Sequence, residues 1–193
     1  MLSYFRAHRA GVATIATVVA IVLQNVAAYG TARVLFQPDR AAVRLALLAP
    51  LLLATAMVPT LAQALPELEL TVLARIRWAR RWHAAGMVGV LATASLVTIA
   101  LGRPRGLEHE VARNSALLLG LLLVSSTLVE VDLAWVIPVA YTGITYLFGM
   151  DFALNEARWW AVLVMPASPE TDALALGLVA AGLVAFTWRG VRT

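Results

Sequence analysis

Residues 114–149 read NSALLLGLLLVSSTLVEVDLAWVIPVAYTGITYLFG, and this stretch decides the fold. Two apolar runs, Asn114 to Val129 and Leu133 to Gly149, are separated only by Glu130-Val131-Asp132. Each run is apolar around its whole circumference, so neither is the one-sided helix of a soluble domain. Each is close to the length that crosses the hydrocarbon of a bilayer, about 20 residues for roughly 30 Å. A link of three residues leaves room for nothing but a tight turn, which makes the pair an antiparallel helical hairpin in a membrane.

The same pattern repeats outward in both directions. Spans are expected at 11–30, 43–64 and 84–101 before the hairpin, at 114–129 and 133–149 within it, and at 173–188 after it. The run from Gly11 continues past signal-peptide length to Tyr29, so it reads as a retained first helix. Pro50 and Pro59 fall inside the second span, where each removes one intrahelical hydrogen bond, and a kink is expected near Pro59. Gly86 and Gly89 in the third span are expected on a closely packed face. The fold class is therefore all-α: one polytopic bundle of six transmembrane helices over residues 1–193, with no room for a separate soluble domain.

Composition agrees. The chain is 61% apolar and 13% charged, with a mean hydropathy of +0.82, more apolar surface than a soluble domain of 193 residues hides. All 15 basic residues are arginine, which together with the abundance of Ala, Val and Leu points to a GC-rich bacterial genome. The net charge of +4 would point to nucleic acid in a soluble protein. Here the arginines stand between apolar runs, where they anchor helices against anionic headgroups, and no nucleic-acid partner is expected.

Between spans two and three, Pro66 to His83 is the most informative polar stretch. At 100° per residue Leu68, Val72, Ile76, Ala79 and Trp82 share one arc, with Arg77, Arg80 and Arg81 opposite. Pro66, Glu67 and Glu69 suit a helix start and Arg75, Arg77, Arg80 and Arg81 its second half. This reads as an amphipathic helix on the membrane surface, with Trp78 and Trp82 at headgroup depth. Before span six, Arg158 to Met165 is too short to cross and carries paired Trp159 and Trp160, as an interfacial or re-entrant helix does. An even number of spans puts both termini on one side. The four clustered arginines of the second loop outweigh a near tie elsewhere, eight arginines against seven, and place that side in the cytoplasm.

No catalytic constellation is present. Ser125 and Ser126 have no histidine at comparable depth on a neighbouring span, and Ser and Thr serve widely in helix packing. With no cysteine, and with His8, His83 and His109 far apart, no metal site is expected. No charged residue falls mid-span, which disfavours ion-coupled transport. Gln24 and Asn25, with Ser125 and Ser126, are the candidates for lining a substrate path. Glu130 and Asp132 are either solvated helix ends or contacts for a cytoplasmic partner.

The layout resembles the ABC-2 type permease family, through three pieces: the segment Pro66 to His83, the turn Glu130 to Asp132, and the short segment Asn155 to Pro166 before span six. The resemblance implies a membrane subunit with six spans and both ends in the cytoplasm of a bacterial inner membrane. It also implies a coupling helix and the pairing of two permease subunits with a separate cytoplasmic ATPase. ATP and magnesium would then be bound by that partner, with no cofactor in this chain. Glu67, Glu69, Arg75, Arg77, Arg80, Arg81, Glu130 and Asp132 would contact the ATPase, and the cargo would be hydrophobic or amphipathic. The family usually begins with a long surface helix, whereas only Met1 to Ala10 precedes span one here. The competing reading is a membrane scaffold or immunity protein that docks a partner through the arginine-rich helix; a membrane enzyme ranks third.

Overall fold

The computed structural model describes residues 15, 18–19, 22, 31–32, 43–44, 49–61, 73–100, 108–151 and 156–189. These are mostly helical. A two-residue strand pair, β1 (Thr31–Ala32) with β2 (Val43–Arg44), precedes α1 (Ala49–Ala56), α2 (Val58–Leu61), α3 (Leu73–Ala100) and α4 (Glu108–Leu128). A 3-10 turn (Val131–Leu133) leads into α5 (Val136–Phe148), the strand pair β3 (Met150–Asp151) and β4 (Glu156–Ala157), a second 3-10 turn (Val162–Val164) and α6 (Pro169–Arg189).

Among the described residues, three helical runs are long and apolar enough to cross a membrane: Glu108–Leu128, Val131–Phe148 and Pro169–Arg189. At 1.5 Å per residue the 21-residue α6 is about 30 Å long, the thickness of the hydrocarbon. Their surroundings differ. The apolar window of α4 is 67% buried by its neighbours, against 28% for the α5 run and 22% for α6. Thus α4 is the central post, while α5 and α6 turn Ile144, Leu147, Phe148, Leu174, Leu176 and Val184 outward, as a lipid-facing helix does.

Two apolar clusters stack along α4. One gathers Leu53, Met57 and Leu61 of the α1–α2 region, Ala84 and Met87 of α3, Leu119, Leu122 and Leu123 of α4, the turn residues Val131 and Ala134, and Phe186 of α6. The other joins Ala54, Leu117 and Leu118 to Val162, Leu163 and Ala175 towards the opposite end.

Helices α4 and α6 run parallel: His109 meets Asp172 near their starts, and Leu123 meets Gly182 further along. Their crossing is close because it is built on glycine. A Cβ on Gly120 would lie 2.7 Å from the Val179 nitrogen, and one on Gly182 would lie 2.8 Å from the Leu123 Cβ. Small residues let backbones approach in this way when lipid supplies no hydrophobic drive. A Cβ on either of the glycines expected to do this, Gly86 and Gly89, would meet nothing described within 4 Å.

Four expected boundaries differ. Span two is not one helix from Val43: residues 43–44 pair with β1, and the helix breaks at Met57 into α1 and α2. Pro59 has no N–H for the carbonyl of Thr55, and the break falls two residues before it. The arginine-rich segment is not a separate surface helix. From Leu73 it continues into span three as α3, because nothing from Arg81 to Ala85 stops a helix. Span four begins at Glu108 rather than Asn114, with Glu108 and Glu110 in its first turn at the positive end of the dipole. The segment before span six is a strand pair and a 3-10 turn rather than an α-helix. Of the first span, Ile15, Val18, Val19 and Val22 are described, all helical and exposed.

Candidate functional site

Polar side chains gather where α4 and α6 begin. Ser168 precedes Pro169, the first residue of α6, and caps it. The Ser168 Oγ accepts from the Thr171 N–H at 3.3 Å, and the Thr171 Oγ1 accepts from the Ser168 N–H at 3.0 Å, a reciprocal box of the kind that starts helices. The Thr171 hydroxyl proton goes to the Ser168 carbonyl at 3.0 Å. One lone pair of Oγ1 remains, and it takes a hydrogen bond from Arg113.

Arg113 is 4% exposed, on the second turn of α4. Its Nη1 donates to the Pro166 carbonyl at 3.0 Å and to Thr171 Oγ1 at 3.2 Å. Its Nη2 donates to the Met165 carbonyl and to Asn114 Oδ1, both at 2.9 Å, and its Nε donates to the same Oδ1 at 3.2 Å. All five N–H groups of the guanidinium are thereby used, on neutral acceptors. Asn114 is fully buried and passes the grip on: its Nδ2 donates to the Leu163 carbonyl at 2.9 Å. A flat, five-donor fork fits a chain that turns without regular structure, because the Met165 and Pro166 carbonyls take guanidinium N–H groups while that of Leu163 takes the Asn114 amide.

Further contacts seal the cap. Glu110 Oε1 accepts from the Ala167 N–H at 3.5 Å, and the exposed His109 Nε2 meets Asp172 Oδ2 at 2.9 Å. Tyr141 of α5 donates to the Trp160 carbonyl at 2.9 Å, and the Arg158 N–H to the Gly149 carbonyl at 2.8 Å. Gly149 leaves room for Ala161, whose Cβ would stand 2.6 Å from any Cβ placed there. Enclosed in the same region, the Tyr146 hydroxyl and the Asp172 Oδ1 have no hydrogen-bond partner among the described residues. Chemically this arrangement holds rather than reacts: it ties residues 158–171 down across one end of the bundle. Glu108, Glu110, Glu170 and Asp172 set negative charge at the positive ends of two parallel helices.

The expected site residues lie elsewhere. Arg75, Arg77, Arg80 and Arg81 belong to the leading part of α3, and Arg81 is exposed. Glu130 and Asp132 are exposed at the turn between α4 and α5. Ala84, Met87, Val131 and Ala134 share one cluster, so the arginine end of α3 and this turn occupy the same end of the bundle, opposite the Arg113 cap. Ser125 and Ser126 are buried and bonded to backbone. Ser125 Oγ lies 2.9 Å from the Leu122 carbonyl and 2.7 Å from that of Ala134, while Ser126 Oγ donates to the Leu123 carbonyl at 2.8 Å. Glu67, Glu69, Gln24 and Asn25 lie outside the described residues.

Sequence reading passed over Arg113, Asn114 and Thr171. Ser168-Pro169-Glu170-Thr171 was legible as a helix start, but nothing local ties it to Arg113. No protein-family model, no curated protein and no solved structure matches the chain.

Proposed function

We propose that the chain is the membrane-spanning, permease-type subunit of an ATP-driven exporter. It pairs with a second such subunit and with a cytoplasmic ATPase that binds ATP and magnesium. In this reading six spans cross a bacterial inner membrane with both termini in the cytoplasm, and the cargo is hydrophobic or amphipathic. The observation that carries it is the continuity of α3: the helix that bears Arg75, Arg77, Arg80 and Arg81 runs without a break to Ala100. A push on the arginine end is then delivered directly into the bundle, through Ala84 and Met87 and through His83, whose ring meets that of Phe186 edge-on at 5.9 Å. Glu130 and Asp132, at the same end, extend the contact surface, and the Arg113 cap closes the other end against the cargo.

The test is a mild-detergent pull-down of the tagged chain, with mass spectrometry of partners and an ATPase assay on the eluate. Recovery of a nucleotide-binding subunit with vanadate-sensitive hydrolysis, lost on charge reversal at Arg80 and Arg81, supports the reading. Recovery of the chain without an ATPase sinks it.

A second reading, a membrane scaffold docked through the same arginines, is favoured by the use of Ser125, Ser126, Thr127 and Thr142, whose hydroxyls all bond to carbonyls of the bundle itself. Charge reversal separates the two: a scaffold loses partner binding with no ATP hydrolysis to lose.

A further inference from the structure

We propose that the inward face of α5 is a binding site for the diol head of an uncharged amphiphile, whose role as cargo rests on the exporter reading. At 100° per residue Tyr141, Thr142, Thr145 and Tyr146 fall within one arc of about 140°, while Val136, Ala140, Ile144 and Leu147 lie on the other side and are exposed. A helix with its hydroxyls inside and its apolar side chains outside reverses the pattern of a soluble amphipathic helix. On its inner side it packs against α4, α1 and the second 3-10 turn.

Two of the four hydroxyls are uncommitted. A buried hydroxyl in a helical bundle ordinarily returns its proton to a carbonyl. Ser115, Ser125, Ser126, Thr142 and Thr171 all do so. Thr145, 0% exposed, and Tyr146 are the exceptions: their oxygens are shielded from solvent and make no hydrogen bond among the described residues. Thr145 Oγ1 stands beside the Tyr141 hydroxyl but out of hydrogen-bond geometry, and that hydroxyl already donates to the Trp160 carbonyl at 2.9 Å. Tyr141 and Tyr146 both lie within the field of Arg113, which puts this face beside the cap, with residues 158–171 closing over it.

The donors and acceptors select the ligand. A hydroxyl both donates and accepts, so two of them on consecutive residues match a diol, whereas a charged head finds no partner. The guanidinium has all five N–H groups engaged, and the carboxylates in its field, Glu110 and Asp172, turn to the Ala167 N–H and to His109. Ile144, Leu147 and Phe148 on the outer side face lipid, so a head on the inner arc keeps its tail within reach of acyl chains.

The experiment uses the full chain in phosphatidylcholine nanodiscs with monolaurin that carries a diazirine beside its ester, cross-linked by light and mapped by peptide mass spectrometry. Saturable labelling should fall in residues 141–149 and 160–165. Plain monolaurin should displace it; methyl laurate, laurate and lauryltrimethylammonium, which share the tail and lack an uncharged diol, should not. T145V and Y146F should each lower it roughly three- to tenfold, the worth of one hydrogen bond. Neither hydroxyl holds the fold, so both variants should melt no lower than wild type. Labelling elsewhere, displacement by the methyl ester or by either charged amphiphile, or labelling unchanged in both variants overturns the proposal. So does a lowered melting temperature or failure to fold in both, which would assign the hydroxyls to packing. Binding is read without nucleotide, so a chain that takes monolaurin and recovers no ATPase keeps the site and loses only the exporter reading.

Discussion

Replacing Arg113 with methionine keeps an unbranched apolar stem, shorter than arginine, and deletes the five donors. Three acceptors are stranded: the Met165 and Pro166 carbonyls, both part-buried, and the fully buried Asn114 Oδ1. Thr171 Oγ1 is spared, since its bonds within the Ser168 box remain. A buried acceptor left without a partner costs about 1–3 kcal/mol, and a part-buried carbonyl that water reaches sits at the low end. The sum is about 3–5 kcal/mol, offset by release of a cation that was expensive to bury, for a net loss of about 2–3 kcal/mol. That loss is local, because the Gly120–Gly182 crossing lies further along the helices and shares no partner with the cap. Opening of residues 158–171 should therefore rise by roughly 30- to 150-fold, at 1.4 kcal/mol per decade. Hydrogen–deuterium exchange in detergent or nanodiscs reads this directly, with residues 116–128 as the internal reference. Exchange of 158–171 within threefold of wild type would refute the account of Arg113 as the pin. Equal loss in 116–128 would refute the claim that the cap is a separable unit.

Three further outcomes are expected. Gly120→Ala places a methyl 2.7 Å from the Val179 nitrogen and 2.8 Å from the Leu178 carbonyl carbon, backbone that cannot step aside; a loss of about 1–3 kcal/mol in thermal or denaturant unfolding should follow, while Gly177→Ala, whose new methyl meets none of the described residues within 4 Å, should change stability little. Ser125→Ala removes the hydroxyl that reaches from α4 to the Ala134 carbonyl and should cost about 1 kcal/mol in the same assay, with faster exchange at residues 129–134. Because the chain has no cysteine, single cysteines at 109, 132 and 159 can be labelled on intact spheroplasts without a background; an impermeant maleimide should reach 109 and 159 but not 132, and labelling of 132 together with 159 would overturn the placement of the turn and the cap at opposite ends.

Hydropathy alone located α4, α5 and α6 to within a few residues, because an apolar run bounded by charges has one reading in a bilayer. It misplaced the start of α4 for the same reason: Glu108 to Arg113 looks like loop to a hydropathy count, yet Glu108, Glu110, Ala112 and Arg113 are good helix formers and the two glutamates suit a helix start. The turn at Glu130 to Asp132 was legible from its length. The continuity of α3 was not, since an amphipathic stretch followed by an apolar one reads as two helices unless a stop residue is demanded between them. Glycine spacing drew attention to Gly86 and Gly89, whereas close approach depends on which helix lies opposite, and that is a property of the assembled bundle. The Arg113 cap was hidden most completely. Its acceptors are carbonyls of Met165 and Pro166, and a backbone carbonyl leaves no mark on the sequence.

The separation along the chain between Arg113 and those carbonyls, 52 and 53 residues, has a consequence for biogenesis. When α4 leaves the ribosome its guanidinium meets the translocation machinery with none of its distant acceptors yet made. An arginine costs about 2.5–3.5 kcal/mol at the centre of an inserting helix and less near an end, so α4 enters as a tolerable but unfinished helix. Only when Met165 to Thr171 has been synthesised does the cation find its partners and the post acquire its parallel neighbour. A chain cut short before residue 163 would leave Arg113 with the Asn114 Oδ1 alone among these acceptors, so the cap can close only after most of the chain has been made.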